Sequence, residues 1–264
     1  MIKFTVVTIT FNAGRVLQRT VNSVLQQDYP CIEHLIIDGA SKDNTVALAQ
    51  DYRERSLKEA PSHVVTIVSE PDKGLYDAMN KGLRLATGHY IVYMNAGDCY
   101  PQPTTLGEIA AKAHLNELEA EGQPLPAVVY GDTDWMDNEG NYLRGRRLQA
   151  PPQLTWRSFR HGMLVCHQAF YARTDIARQC PYDLHYRFSA DVDWCIRVMK
   201  KGQQAGLPLV NVHQVVANYQ REGQSTEHHR ASLIERFHIM CHHYGLPSTL
   251  FMHAWFVVRA VIKR

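Results

Sequence analysis

The sequence lacks a long apolar run, a strong net charge of either sign and closely paired cysteines. No stretch of about 20 consecutive apolar residues occurs, so we predict no membrane-spanning helix. Lysine and arginine total 28 against 26 acidic residues, a net charge of +2 that gives no support for a nucleic-acid partner. The six cysteines show neither C-x-x-C spacing nor the density of a secreted disulfide scaffold, and the first residues lack an export signal. We therefore expect reduced thiols and a cytoplasmic protein.

The first hundred residues alternate short apolar runs with helical patterns. Strands are predicted at 4–10, 34–38, 64–69 and 90–94, and helices are predicted up to Gln27, at 44–57 and at 75–86. Hydrophobic residues make up 45% of the 264 positions, which is enough to form a substantial core. Four strands separated by helices predict a parallel sheet covered by helices on both faces.

The pattern changes after Asp98. We predict one helix over 104–121, a strand at 127–131, a turn at DNEGN, and helices at 187–201, at 226–244 and from Pro247 onward. These elements divide the chain into a main domain of residues 1–225 and a helical extension of residues 226–264.

Polar side chains follow three of the predicted strands, at the sheet edge where parallel α/β proteins bind ligands. Asp38 follows the second strand, Asp72 follows the third, and Asn95 and Asp98 follow the fourth. Asp38 taken alone is more typical of an Asp-Gly turn. A carboxylate at a strand end in an open cleft is a natural ligand for Mg²⁺ or Mn²⁺, because these cations take oxygen donors and bridge phosphate oxygens.

Four segments occur in a fixed order along the chain: TVVTITFN, DGASKDNT, EPDKGLYDAMNKG and NAGD. Together they resemble the family 2 glycosyltransferases of the GT-A fold, in particular the bacterial members that assemble polysaccharides of the colanic-acid type. The resemblance is close over residues 4–100 and looser to residue 226. It implies an α/β fold with a Rossmann-like, mostly parallel sheet, helices on both faces, an acceptor-binding carboxy-terminal half and terminal helices. Residues 1–100 would bind the nucleotide-sugar and residues 101–225 the acceptor.

The resemblance also implies roles for residues at the strand ends. Asp98 would be the last acid of the family's metal motif, with Mn²⁺ or Mg²⁺ as the cofactor. Asn95 and Gly97 stand where the family often has aspartates, which leaves one carboxylate in this motif. Asp38 would contact the nucleobase. The donor-binding set would be Thr8, Thr10, Asn12, Asp38, Asp72, Lys81, Asn95 and Arg221.

The segment SADVDWCIRVMKKG resembles the family element that supplies a general base at the start of a helix. Asp191 is the candidate base, because a carboxylate there can take the proton from an acceptor hydroxyl. Asp193 is the second candidate and is expected on the acceptor side. The alternative is that both acids only stabilise the helix start electrostatically. Ala190 stands where the family has a glutamate, so a supporting acid must come from elsewhere.

Two further segments extend the resemblance. CHQAFYAR is similar to the acceptor-side strand of the polysaccharide-type members, which places His167 and Gln168 at the acceptor. A purely structural role is an equally good interpretation of His167. ANYQREGQST is similar to the mobile segment that closes over the donor, with Arg221 at the diphosphate and Gly223 as a hinge. An ordinary surface loop is the alternative for that segment.

The resemblance implies an inverting transfer from a nucleotide-sugar, and we expect a UDP-sugar as donor. The acceptor would be a glycan or a polyprenyl-linked saccharide in the synthesis of a cell-surface polysaccharide. The alternative from another class is a catalytically silent protein that binds sugar-nucleotides, for which the reduced acidic motif is the only argument. A nucleotidyltransferase or a dinucleotide-binding dehydrogenase would need a glycine-rich loop after the first strand, and TVVTITFNAGR has a single glycine there.

The carboxy-terminal segment LFMHAWFVVRAVIKR predicts an amphipathic helix. Its apolar stripe would contain Phe251, Trp255, Val258 and Ile262, with Arg259, Lys263 and Arg264 available to anionic headgroups. The two readings are a peripheral contact with the inner face of the cell membrane and packing against the body of the protein. The histidine pairs at 228–229 and 242–243 lack the spacing of a zinc hydrolase and receive no catalytic role.

Overall fold

The fold is built on one mixed sheet. The structure, a computed structural model, describes residues 1–220 and 228–262, without the side chains of residues 257 and 259–262. Eight strands of the described residues form the sheet in the order β3-β2-β1-β4-β7-β5-β6, and β8 pairs with β5. The strands are β1 Phe4–Thr10, β2 Ile32–Asp38, β3 Val64–Ser69, β4 Tyr90–Tyr93, β5 Val128–Met136, β6 Tyr142–Gly145, β7 Phe170–Arg173 and β8 Leu209–Gln220.

The predicted parallel sheet is confirmed for the first four strands. β1 pairs in parallel with β2 and β4, and β2 pairs in parallel with β3. The second half departs from this pattern, since β7 is antiparallel to both β4 and β5, and β6 is antiparallel to β5. β8 returns to a parallel pairing with β5. The predicted DNEGN turn is the connection of the β5–β6 hairpin.

Helices lie between and after the strands. They are α1 Leu17–Leu25, α2 Thr45–Glu59, α3 Leu75–Leu85, α4 Thr105–Lys112, α5 Leu115–Ala120, α6 Thr174–Ala177, α7 Ala190–Gln204, α8 His229–Tyr244 and α9 Leu246–Ile262. Short 3₁₀ turns at Trp156–His161 and His167–Ala169 stand in the second half.

Side-chain alternation along β2 shows that helices cover both faces of the sheet, as predicted. Ile36 belongs to one apolar cluster with residues of α1 and α2. Leu35 and Ile37 belong to the other cluster with residues of α3 and α7. The fold class predicted from the sequence is therefore confirmed.

Several predicted boundaries are wrong. The single helix predicted over 104–121 is two helices, because His114 adopts a left-handed backbone with φ of 52° between α4 and α5. The strand predicted at 127–131 continues to Met136 as β5. Helix α7 begins at Ala190, three residues after the predicted Arg187, because residues 187–189 bind a side chain of another helix through their backbone amides.

Two helices, α8 and α9, come last in the described chain and pack against each other. α9 buries Met252 and Thr249 but leaves Phe251 and Trp255 72% and 49% exposed, so it packs through one face only. Within residues 1–220 and 228–262, the helices are too short or too polar to cross a bilayer.

Candidate active site

A cleft of about 1710 Å³ opens at the carboxyl ends of β1 and β4 and extends to α7, α8 and α9. The strand register brings residues that are distant in sequence to this edge, since Thr10 pairs with Asp38 and Asp38 pairs with Ser69. The predicted site residues that line the cleft are Thr10, Asn12, Asp72, Asn95, Asp98, His167, Gln168 and Asp191.

Asp38 fixes the edge of the sheet below the cleft. Its carboxylate accepts hydrogen bonds from the Thr10 hydroxyl at 2.9 Å, the Ser69 hydroxyl at 2.7 Å, and both the hydroxyl and the amide of Ser41. Burial would raise the pKa of Asp38, but these hydrogen bonds hold it below its usual value. The carboxylate is buried and fully used within the protein, so it does not line the cleft; its nucleobase contact stays a prediction.

The neighbouring Gly39 lets two loops approach each other. A Cβ at Gly39 would lie 2.6 Å from the Asp72 carboxylate, which is closer than side chains tolerate. Asp72 also accepts a hydrogen bond from the Gly74 amide at 2.8 Å, just before α3. Gly39 and Asp72 therefore form one side of the cleft where β2 and β3 end.

Asp98 stands after β4 on the floor of the cleft. Gln168 Nε2 donates to one carboxylate oxygen at 3.0 Å, and the backbone amide of Gln220 donates to the other at 3.1 Å. Burial raises the pKa of Asp98 to about 6 against the lowering effect of these hydrogen bonds. The site thus holds a carboxylate whose charge is incompletely compensated by the protein.

Asp191 stands in the first turn of α7 and also lines the cleft. The Tyr76 hydroxyl donates to its Oδ1 at 3.2 Å, and His167 Nδ1 lies 3.3 Å from its Oδ2. Burial would raise the pKa of Asp191, but the hydrogen bond and electrostatic interaction with His167, together with the Arg236 guanidinium, hold it below its usual value. Asp191 is therefore ionised at neutral pH.

His167 and Gln168 connect the two acids. His167 contacts Asp191 through Nδ1 and lies 3.2 Å from the Asn95 amide nitrogen through Nε2, while Gln168 binds Asp98. Both residues belong to the short 3₁₀ turn that precedes β7, so consecutive side chains contact the strand end and the helix start. The cleft wall between the two carboxylates is built by this turn.

Glu235 of α8 supports the start of α7. Its carboxylate accepts hydrogen bonds from the backbone amides of Arg187, Phe188 and Ser189 at 2.8, 2.8 and 2.9 Å. These amides immediately precede the helix that carries Asp191, so α8 holds that helix start in place. Glu235 is therefore an acid of another helix that supports the segment leading into α7.

Besides Asp38, three predicted site residues do not line the cleft, contrary to their expected position. The Thr8 hydroxyl is buried against His34, and Lys81 pairs with Glu70 at 3.0 Å. Asp193 is buried in contact with Arg197 and His243. Their ligand contacts stay predictions. Arg221 and Gly223 lie outside the described residues.

Tyr76, Glu235 and Arg236 were given no role from the sequence, although Tyr76 and Arg236 line the cleft and Glu235 anchors it. Only the absence of an acid at Ala190 pointed to a residue such as Glu235.

The oxygens at the end of β4 suit a hard divalent cation that shares its ligands with a substrate. Asn95 Oδ1 is buried and has no hydrogen-bond partner among the described residues, and Asp98 offers its carboxylate nearby in the chain. The described part of the chain contains no group of three or more histidine, cysteine or acidic side chains that could hold a metal. A cation here would depend on further oxygen ligands from phosphate groups.

Solved structures share this architecture. S. aureus TarS 1-349 in complex with UDP-GlcNAc matches with a TM-score of 0.66 at 15% identity, over 90% of this chain and 64% of the TarS chain. The mannosyltransferase PcManGT from Pyrobaculum calidifontis, in complex with GDP-Man and Mn²⁺, matches with a TM-score of 0.57 at 17% identity, over 97% of this chain and 75% of the other. The chain therefore has the GT-A glycosyltransferase fold.

Sequence comparison gives the family. Residues 5–178 match the profile of glycosyl transferase family 2. A PGL/p-HBAD biosynthesis glycosyltransferase of Mycobacterium bovis is 30% identical over 221 residues, which are 83% of this chain and 77% of the relative. The amylovoran biosynthesis glycosyltransferase AmsB of Erwinia amylovora is 24% identical over 86% of this chain and 75% of the relative. The chain belongs to glycosyl transferase family 2 and is a glycosyltransferase.

Proposed function

We propose that the chain is an inverting glycosyltransferase that moves a sugar from a UDP-sugar to a glycan or lipid-linked acceptor in the synthesis of a cell-surface polysaccharide. The observation that carries this proposal is that Asp98 and Asp191 line one cleft, where the consecutive residues Gln168 and His167 contact them. An acid beside the donor phosphates and an ionised acid beside the acceptor are what a single displacement requires.

The similar proteins support the donor and the pathway class. TarS has been solved with UDP-GlcNAc and with UDP, and PcManGT with GDP-Man and Mn²⁺. The relatives named for PGL/p-HBAD and amylovoran biosynthesis act in glycan or glycolipid synthesis by their names. UDP-sugars are our first choice of donor for this chain.

The proposed reaction places one group on each face of the sugar. Asp191 accepts the proton of the acceptor hydroxyl as that oxygen attacks the anomeric carbon, and the nucleoside diphosphate leaves from the opposite face. A divalent cation beside Asp98 and Asn95 would neutralise charge on the leaving diphosphate. One displacement of this kind inverts the anomeric centre.

Tyr76 and His167 position the proposed base. Each contacts a different oxygen of Asp191, so the carboxylate has a fixed orientation towards the cleft. Tyr76 in turn stacks on Tyr182 with ring centroids 5.4 Å apart, and Tyr182 stacks on Trp194 at 4.9 Å. This rigid aromatic layer limits the positions that the base can adopt.

A peripheral membrane contact through α9 is part of the proposal. Phe251, Trp255 and Val258 recur at helical spacing and are 72%, 49% and 45% exposed, as an interfacial helix requires. The other residues of the predicted stripe and its basic flank, Arg259, Ile262, Lys263 and Arg264, lie outside the side chains described.

A donor screen tests the proposal. Hydrolysis and thermal stability are measured with UDP-, GDP- and dTDP-sugars, with and without Mn²⁺, in the wild type, in Asp98→Asn and in the exposed control Asp51→Asn. We expect Mn²⁺-dependent hydrolysis of a UDP-sugar that is lost in Asp98→Asn and kept in Asp51→Asn. Stabilisation by a donor without hydrolysis or transfer would favour the silent sugar-nucleotide-binding protein, and no stabilisation by any of the three donors would contradict donor binding.

A further inference from the structure

Arg236 of α8 is a cation of the cleft whose guanidinium is only partly satisfied by the described residues. It lines the cleft, and its Nε is buried with no hydrogen-bond partner among the described residues. Residues 1–220 and 228–262 also provide no ion pair to its guanidinium within 4 Å. A buried N–H of a guanidinium is costly when it lacks an acceptor, so an anionic ligand would satisfy it.

The position of Arg236 assigns that anion to the acceptor. Arg236 and Asp191 line the same cleft, where the guanidinium helps to lower the pKa of that acid, and the preceding residue, Glu235, binds the backbone amides just before α7. In an in-line displacement the base and the leaving diphosphate lie on opposite faces of the sugar. A cation beside the base therefore contacts the acceptor, a step that rests on the function proposed above.

Apolar side chains flank Arg236 on the same helix face. Leu233 and Met240 stand three residues before and four residues after Arg236, which places all three on one side of α8, and all three line the cleft. Leu233 is 47% exposed, so part of its apolar side chain is open to a ligand in the cleft. A ligand that matches Leu233, Arg236 and Met240 combines an anionic group with an apolar chain.

We propose that Arg236 binds a phosphate group on the acceptor and that Leu233 and Met240 contact an apolar chain attached to that phosphate. The acceptor class is therefore a saccharide linked through phosphate or diphosphate to a lipid. Arginine suits this contact, because its planar fork of N–H groups matches phosphate oxygens in pairs.

A binding experiment with defined probes tests this assignment. The dissociation constants of farnesyl diphosphate, farnesol and inorganic diphosphate are measured in the presence of saturating UDP and Mn²⁺, so that the donor site is filled. The proteins are the wild type, Arg236→Gln, Leu233→Asn and Arg230→Gln, which removes an exposed arginine of the same helix outside the cleft. UDP binding is measured separately in all four.

We expect farnesyl diphosphate to bind more tightly than either fragment and to weaken about tenfold in Arg236→Gln, the size of one charge-assisted hydrogen bond. Leu233→Asn should weaken farnesyl diphosphate and leave inorganic diphosphate unchanged. Because Leu233 is exposed, this variant keeps the test valid should Arg236→Gln fold poorly. Arg230→Gln should behave as the wild type, and UDP affinity should be the same in all four.

Three outcomes would overturn the inference. An equal loss of UDP binding in Arg236→Gln would assign the arginine to the donor. Equal affinity for farnesol and farnesyl diphosphate would show that the phosphate contributes nothing to binding. Equal affinity for inorganic and farnesyl diphosphate would show that the apolar chain contributes nothing. Failure of the wild type to bind UDP at all would instead contradict the proposed function, so the two failures are distinguishable.

Discussion

Asp191 and Asp193 stand two residues apart in the first turns of α7, yet they occupy different regions of the molecule. Asp191 faces the cleft and contacts Tyr76 and His167. Asp193 faces the protein interior, where it pairs with Arg197 at 2.6 Å and with His243 at 2.8 Å. A separation of two residues rotates a side chain by about 200° around a helix, so the pair divides between the two sides of α7.

The environments explain why the acids differ in role although the pKa of each is lowered. Asp193 is 4% exposed and its two carboxylate oxygens contact Arg197 and His243, which gives it a structural environment, while its acceptor contact stays a prediction. Asp191 keeps a surface towards the cleft, where a substrate hydroxyl can reach it. An ionised buried acid is therefore a candidate base only when part of its carboxylate faces a cavity that a substrate can enter.

The largest effect is expected for Asp191→Asn. Loss of the general base should lower kcat by about 10²–10⁴-fold, with UDP affinity and the melting temperature close to those of the wild type. Transfer rates and thermal unfolding measured on the same preparations check this. Activity within a few-fold of the wild type would remove Asp191 as the base.

Asp193→Asn should lower stability, in contrast to Asp191→Asn, which should lower turnover. Removing one member of the buried cluster leaves Arg197 and His243 without their acid, which should lower the free energy of unfolding by about 3–5 kcal/mol. Denaturant unfolding measures the change. Unchanged stability together with lost turnover would reverse the assignment of the two aspartates.

The stability difference should also depend on pH. The folded-state pKa of Asp193 lies below its ordinary value of 3.8, so its contribution is fully present above that value and is lost as the pH falls through the folded pKa. The gap in unfolding free energy between the wild type and Asp193→Asn should therefore narrow at acid pH. A gap that is constant from neutral pH into the acid range would contradict the pairing.

Glu235→Ala should have an intermediate effect on turnover. Three amides before α7 would lose their acceptor, and a small misplacement of Asp191 should lower kcat about tenfold while the donor KM stays near the wild-type value. Glu235→Gln keeps one acceptor oxygen and should recover part of the rate. A change in donor KM alone would show that Glu235 acts elsewhere.

The smallest effect is expected for Tyr76→Phe. The variant keeps the stacking on Tyr182 and removes one hydrogen bond to Asp191, a loss of about 0.5–1.5 kcal/mol that corresponds to a two- to tenfold lower kcat. Phe at this position should leave stability nearly unchanged. A loss as large as that of Asp191→Asn would make Tyr76 part of the proton transfer.

The fold of the first hundred residues could be predicted from the sequence because its signals are local. β1 and β3 have the predicted bounds, and the order of strands and helices follows from alternating patterns. The antiparallel β7 and the break at His114 could not be predicted, since they depend on pairing across the sheet and on a single backbone conformation.

The sequence predicts the cleft residues that follow strands, but it does not predict the contributions of residues on distant helices. Asp98, His167, Gln168 and Asp191 were expected at one cleft and line it together. Thr8 and Lys81 were expected there too, but packing directs their side chains to His34 and Glu70. Periodicity cannot distinguish Asp191 from Asp193, because both fit the start of the same helix.

The contact of Glu235 with the amides of residues 187–189 has a consequence for the folding of the chain during its synthesis on the ribosome. The acid follows those amides by 46 to 48 positions, so a ribosome completes α7 well before it makes the residue that anchors it. A nascent chain would carry strands β1 to β7 early and acquire the contacts that hold the start of α7 late. Under the proposed function, shortened chains that end before α8 should therefore still bind nucleotides while failing to transfer the sugar.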